Sequence, residues 1–208
     1  MTEGPGEPAG GPPPKKRSGR RAGPSSTQQQ ILEVARSLFS AEGFEGTTMR
    51  AIAHASAVDA ALIHHFFLSK EALFTAAVQD AFAVADLVPT VVDGAPERAG
   101  ERLARAFVTY WETPGVQPRL VGLLRSATAF EGASAAIRSF LGAEVLLPVT
   151  TALGYGRPER RASLVGSQLL GLAVMRYVIR SEAIIALRQE QLVFCIADSC
   201  QHYLTERM

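Results

Sequence analysis

Residues Gly43 to Leu73 read GFEGTTMRAIAHASAVDAALIHHFFLSKEAL, and this stretch decides the fold. Gly43 supplies a left-handed residue that ends an upstream helix. Thr47 is an N-cap residue for a short helix over about 48–55 that buries Met49 and Ile52. Asp59 caps the next helix, and Val58 and Ile63 stand at the N′ and N4 positions of a hydrophobic staple around it. Ser69 opens a further helix with Ala72, Leu73, Ala76 and Ala77 on its apolar face. Upstream, Ser25 or Ser26 can cap a helix whose Ile31, Leu32, Ala35, Leu38 and Phe39 follow the spacing of one buried face. Three helices result, the last two joined by a tight turn.

A helix-turn-helix presents its second short helix to the major groove while the first braces the backbone. At 100° per residue, Ile63, Phe66 and Phe67 fall on the core side of the third helix, and Ala61, Leu62, His64 and His65 face outward. None of the four is the Arg, Asn or Gln that makes bidentate contacts to base edges. Alanine and leucine meet thymine methyl groups, and the histidines bond base edges or phosphates. Binding therefore leans on phosphate contacts and DNA shape. Thr47 and Thr48, at a helix N-terminus, can hold a phosphate, and Arg50 and Lys70 flank the reading helix.

Charge agrees. The net charge of the 208-residue chain is only +1, but from Lys15 to Lys70 eight basic residues stand against four acidic ones. Residues 1–24 are rich in Gly and Pro without apolar periodicity, which predicts a disordered arm. Its Lys15 to Arg21 segment either tracks DNA or only solubilises the chain.

Beyond residue 87 the sequence VPTVVDGAP reads as a loop, and Pro96 opens a helix to about Glu112. TPGVQP is a second break. Helices follow over about 120–130, 133–153 with a kink at Pro148, 158–179 and 187–204. No strand alternation appears, so the chain is expected to be all-α with about nine helices. No apolar run approaches the roughly 20 residues that span a bilayer. The absence of a signal peptide, with Cys195 and Cys200 too poorly placed on one helix to bond each other, predicts a cytoplasmic protein with free thiols.

The run Gly43-Phe44, Thr47-Thr48-Met49, Ile52-Ala53, Val58, Phe67, Ser69-Lys70-Glu71-Ala72-Leu73 resembles the signature of the TetR family of bacterial repressors over about residues 26–75. In that family the positions of Thr48, Arg50, Ala60, Ala61, Leu62, His64 and Lys70 commonly touch DNA. Two positions depart from the pattern: Ala57 stands where glycine is usual in the turn, and His64 where tyrosine is usual. An alanine held left-handed there costs roughly 1–2 kcal/mol. The resemblance implies an N-terminal helix-turn-helix domain (residues 25–70) and a C-terminal helical domain (residues 71–208) that binds an effector and dimerises. It also implies a repressor released from a palindromic operator by a small molecule, with activation left open. Small residues Gly166, Ser167, Gly171 and Ala173 in an otherwise apolar helix fit close approach to a second copy.

Phe107, Trp111, Leu124, Leu172 and Met175, with Tyr110, Phe130 and Phe140, either line an apolar effector pocket or simply form core. Arg125, Thr128, Gln168 and Arg176 interrupt apolar helices. A buried arginine needs a carboxylate, such as Glu112, Glu131 or Glu144, or an anionic group on a ligand. His64 and His65 point about 100° apart with no third ligand nearby, so no metal is expected. Gly166-Ser167 lacks the context of a nucleophile elbow, and Gly154-Tyr155-Gly156 follows no strand, so neither catalysis nor a cofactor is expected. The rival to a DNA-reading regulator is a helical effector- or partner-binding module that does not read DNA specifically.

Overall fold

The computed structural model describes residues 1, 24–81, 87–129 and 131–206, and among these every regular element is helical. The basic arm from Lys15 to Arg21 lies outside the described residues. Helix α1 (Pro24–Gly46) buries Ile31, Ala35 and Phe39 completely and breaks at Gly43, whose φ of 75° is open to glycine. Helices α2 (Met49–Ala55) and α3 (Ala60–Phe67) follow, and α4 (Lys70–Ala81) packs back on α1. The centre of this unit is a triple of rings. Phe74 meets Phe39 and Phe44 edge-on, with centroids 5.1 and 5.3 Å away. The buried face of α4 is thus Leu73, Phe74, Ala77 and Val78, whereas Ala72 is exposed.

The turn between α2 and α3 is held by backbone and side chain together. Val58 N–H donates to Ala53 carbonyl at 3.1 Å, and the Gln30 amide donates across from α1 to Ser56 carbonyl at 3.0 Å. Ala57 is left-handed, with φ of 53°. Its Cβ strains a position that glycine would occupy freely, so Ala57→Gly is expected to raise stability by about 1 kcal/mol, read as a higher midpoint in urea unfolding. An unchanged or lower midpoint would mean that the turn carries no such strain.

The second unit contains α5 (Leu87–Val92), α6 (Ala99–Trp111), α7 (Val116–Ala129), α8 (Glu131–Ser139), α9 (Leu147–Ala152), α10 (Pro158–Ala173), α11 (Glu182–Ile185) and α12 (Gln189–Thr205). Several boundaries differ from the sequence reading. The expected loop after residue 87 is the helix α5, because Leu87 and Val91, one turn apart, bury together, and Pro89 sits in a first turn that needs no amide donor. Likewise Pro118 stands in the first turn of α7, so only residues up to Gly115 break the chain. The kink assigned to Pro148 is a π-helical segment over Phe140–Leu146 that joins α8 to α9. The missing proline amide and the ring's clash with the preceding turn are absorbed there by wider turns.

Helix α6 lies along α12 because Gly100 carries no side chain: a Cβ there would stand 2.4 Å from Gln201 backbone nitrogen. Gln201 locks the contact by accepting from Gly100 N–H at 2.7 Å and donating to Pro96 carbonyl at 2.9 Å. Arg161 on α10 is 5% exposed and donates to the carbonyls of Gly156, Tyr203 and Glu206 at 2.8–2.9 Å. Those last acceptors lie at the end of α12, where a cation also meets the negative end of the helix.

The two units share one hydrophobic cluster that runs from α1 through α4 into α7, α8 and Tyr177. Helix α7 lies against α1 at Gly122, where an added Cβ would stand 2.2 Å from Ser40 Cα. One turn on, the buried Ser126 hydroxyl accepts from Phe44 N–H at 3.1 Å. Helix α4 serves both sides, since its Gln79 donates to Glu144 at 2.8 Å and its Asp80 pairs with Arg36 of α1.

Candidate nucleic-acid interface and effector cavity

The short helices owe their orientation to their caps. Asp59 accepts from Ala61 N–H at 2.7 Å, and with Ile63 and Phe67 buried the remaining face of α3 is turned outward. Ala61, His64 and His65 are exposed and Leu62 is half-buried, while Ala60 is half-buried against the core. The His64 ring bonds to Leu68 carbonyl at 3.2 Å, which ties it to the end of its own helix. The N-cap of α2 is Thr48, which accepts from Ala51 N–H at 3.1 Å and is exposed, as is Arg50, the second residue of that helix.

Two expected contact residues are placed differently. Thr47 is fully buried and its hydroxyl donates to Gly43 carbonyl at 2.8 Å, so it neither caps α2 nor faces solvent. The chain break at Gly43 leaves that carbonyl without a helical donor, and Thr47 supplies one. Lys70 is half-buried. Its ammonium donates to the carbonyls of Phe44 and Thr47 at 2.8 and 3.1 Å and lies 4.2 Å from the centroid of the Phe44 ring. It fastens the start of α4 to the α1–α2 turn.

Leu68, which the sequence reading passes over, is 82% exposed at the end of α3. Its φ and ψ of 47° and −45°, with Ser69 N–H bonded to Phe67 carbonyl, make a tight three-residue turn that strains any residue but glycine. Between Phe67 and Ser69 a leucine looks like core, and only the backbone reveals otherwise.

In the second unit a partly open cavity of about 70 Å³ is lined by residues of α5, α6, α7, the π segment over Phe140–Leu146 and α10. Phe107, Trp111 and Leu124 line it, joined by Ala106, Tyr110 and Leu169. Gln168, Met175 and Arg125 are exposed, and Leu172 packs against Leu192 and Val193 instead. Gln168, Leu172 and Arg125 lie on the other sides of α10 and α7, and Met175 lies in the π-helical turn Val174–Val178 that follows α10, since a helix directs only about a third of its residues to one face. The Thr128 side chain and Phe130 lie outside the described residues.

Below the cavity, Trp111 stacks on Tyr177 with centroids 4.5 Å apart and planes 4° from parallel. The Tyr177 hydroxyl donates to Glu112 at 2.9 Å, and Arg176 reaches the same carboxylate at 3.2 Å. Arg176 also donates to the carbonyls of Ile184 and Leu187. Burial and the Glu112 carboxylate push the Tyr177 phenol above its ordinary range, so this bond persists throughout neutral pH and is lost only in strong alkali. The expected internal carboxylate partner of Arg176 is therefore Glu112, while Arg125 is an exposed residue of α7. Among the described residues no three metal-ligating side chains converge, and no helix is long and apolar enough to cross a membrane.

Residues 31–77 match the model for bacterial regulatory proteins of the tetR family, and residues 97–204 match the tetracyclin repressor-like C-terminal domain. The chain is similar to the HTH-type transcriptional repressor AcnR of Corynebacterium glutamicum, 41% identical over 66 residues, which are 31% of this chain and 35% of that protein. It is also 40% identical over 52 residues to the HTH-type transcriptional regulator UidR of Escherichia coli, covering 25% of this chain and 26% of that one. The match thus spans about a third or less of these curated relatives. A TetR-family regulator from Streptomyces coelicolor is similar across the whole fold, with a TM-score of 0.67, 30% identity, and coverage of 90% of this chain and 99% of that one.

Proposed function

We propose that this chain, which belongs to the TetR family of bacterial regulatory proteins, is a DNA-binding transcriptional regulator that occupies a palindromic operator as a homodimer and leaves it when a small molecule enters the second unit. It acts by binding and release rather than by turnover. The observation that carries the reading is the Asp59-capped α3, which turns Ala61, His64 and His65 outward beside the exposed Thr48 and Arg50. Dimerisation is supported by apolar side chains left open on the second unit, above all Ile179 and Phe194 at 61% and 79% exposure. Release is supported by the cavity and by α7, which lines it with Leu124 and touches α1 with Gly122.

Selection of bound duplexes from a random library tests the reading. A palindrome with half-sites about one helical turn apart is expected, and enrichment of no sequence would overturn it. On the selected duplex, Arg50→Ala is expected to weaken binding and to reduce the slope of log K against log salt by about one, without changing thermal stability. Lys70→Met should weaken binding and also lower the melting temperature, because its two hydrogen bonds from a charged donor contribute about 1.5–3 kcal/mol. Equal melting temperatures for the two variants would assign Lys70 to the DNA surface alone.

A further inference from the structure

By residue type alone, a histidine on the outer face of α3 has two kinds of DNA partner, a base edge or a phosphate. At His64 the end of the helix restricts that choice. Leu68 N–H donates to His64 carbonyl at 3.0 Å, and the left-handed turn at Leu68, with φ of 47°, brings the Leu68 carbonyl back to 3.2 Å from His64 Nδ1. His64 and Leu68 are thus joined twice, once through backbone and once through the ring. A carbonyl oxygen only accepts, so the nitrogen that faces it carries the proton.

In a neutral imidazole one nitrogen donates and the other accepts. With the proton held on Nδ1, His64 Nε2 presents a lone pair, and among the described residues nothing bonds it. The residue is exposed on the outer face of α3. A phosphate oxygen also only accepts, so this tautomer has no hydrogen to give the DNA backbone. The major-groove edges of the bases differ. Adenine N6 and cytosine N4 carry amine donors there, whereas guanine presents N7 and O6 and thymine presents O4, all acceptors.

We infer that His64, held as its Nδ1–H tautomer by the Leu68 carbonyl, accepts at Nε2 from the exocyclic amine of an adenine or a cytosine and so determines one base of each half-site. The base assignment rests on the regulatory reading above; the tautomer does not.

The tautomer is tested on the full chain without DNA. Nitrogen–proton correlation NMR of the imidazoles is recorded at about pH 8.5, where an ordinary imidazole is neutral, with His64→Ala identifying the signals. A protonated Nδ1 is expected, the opposite of the form that a histidine free in water favours, and a proton on Nε2 overturns the inference. The base is tested by selecting duplexes from a random library with the natural chain and with His64→Ala at the same pH. One position in each half-site is expected to lose a preference for adenine or cytosine in the variant. At that position an analogue without the exocyclic amine, purine for adenine or 2-pyrimidinone for cytosine, should weaken the natural chain about fivefold and His64→Ala not at all. The slope of log K against log salt should be the same for both chains, because no phosphate contact is lost. A shallower slope in His64→Ala overturns the base assignment. Enrichment of no sequence by the natural chain sinks the regulatory reading and the base assignment together. A palindrome that both chains select alike leaves the regulatory reading standing and overturns the role of His64 in it.

Discussion

Trp111→Ala is expected to lower the melting temperature by about 6–20 °C. Trp111 is 2% exposed and packs between the cavity and the flat face of Tyr177. Removing so large a buried ring costs about 3–5 kcal/mol, from lost transfer free energy and from the void left behind. For a domain of this size each kcal/mol moves the midpoint by roughly 2–4 °C. The void also adjoins the existing cavity, so the surviving folded protein should accept a two-ring hydrocarbon that the natural protein excludes. Calorimetry with and without naphthalene measures both effects. A midpoint within about 3 °C of the natural one would mean that the Trp111–Tyr177 stack adds little beyond what nearby side chains can refill.

Gly122→Val is expected to abolish tight operator binding at a temperature where the chain is still folded. Its Cβ would lie 2.2 Å from Ser40 Cα and 2.4 Å from Ser40 Oγ. Backbone cannot yield as a flexible side-chain tip can, so α1 and α7 must separate. Overpacking of this kind costs about 1–3 kcal/mol. The larger consequence is positional. Separation strains the Ser126–Phe44 hydrogen bond and, through Phe44 carbonyl, the Lys70 anchor. The pair α2–α3 hangs from that turn. Gly142→Ala is the control, because a Cβ at Gly142 meets nothing within 4 Å. Duplex affinity and far-ultraviolet melting, measured on both variants, separate the two outcomes. Full affinity in Gly122→Val would show that the α1–α7 contact does not set the position of the reading helix.

Much of the first unit is local, and local features are legible in sequence. Asp59 caps α3 through an amide two residues away, Gly43 breaks α1 through its own φ, and the buried stripe of α1 follows from helical period. The outward face of α3 follows from the same period once Ile63 and Phe67 are assigned to the core. Where local rules compete, they misassign. Thr47 and Thr48 are equally good caps by residue type, and burial of Thr47 against Gly43 decides between them. Pro89 and Pro118 look like breaks, yet each falls in a first helical turn, where a proline is harmless.

The sequence by itself determined the helical class, the reading unit and the absence of bidentate base-reading side chains on the outer face of α3, because each depends on residues within a turn or two of one another. Only the tertiary structure decided which residues line the cavity and what Lys70 fastens. It also decided that Gly100 and Gly122 are the close-approach points and that Arg161 is satisfied by carbonyls rather than a carboxylate. Core and cavity walls are built from the same apolar residues, and partners 23 to 105 positions apart leave no period to read. Their meeting depends on how whole helices pack.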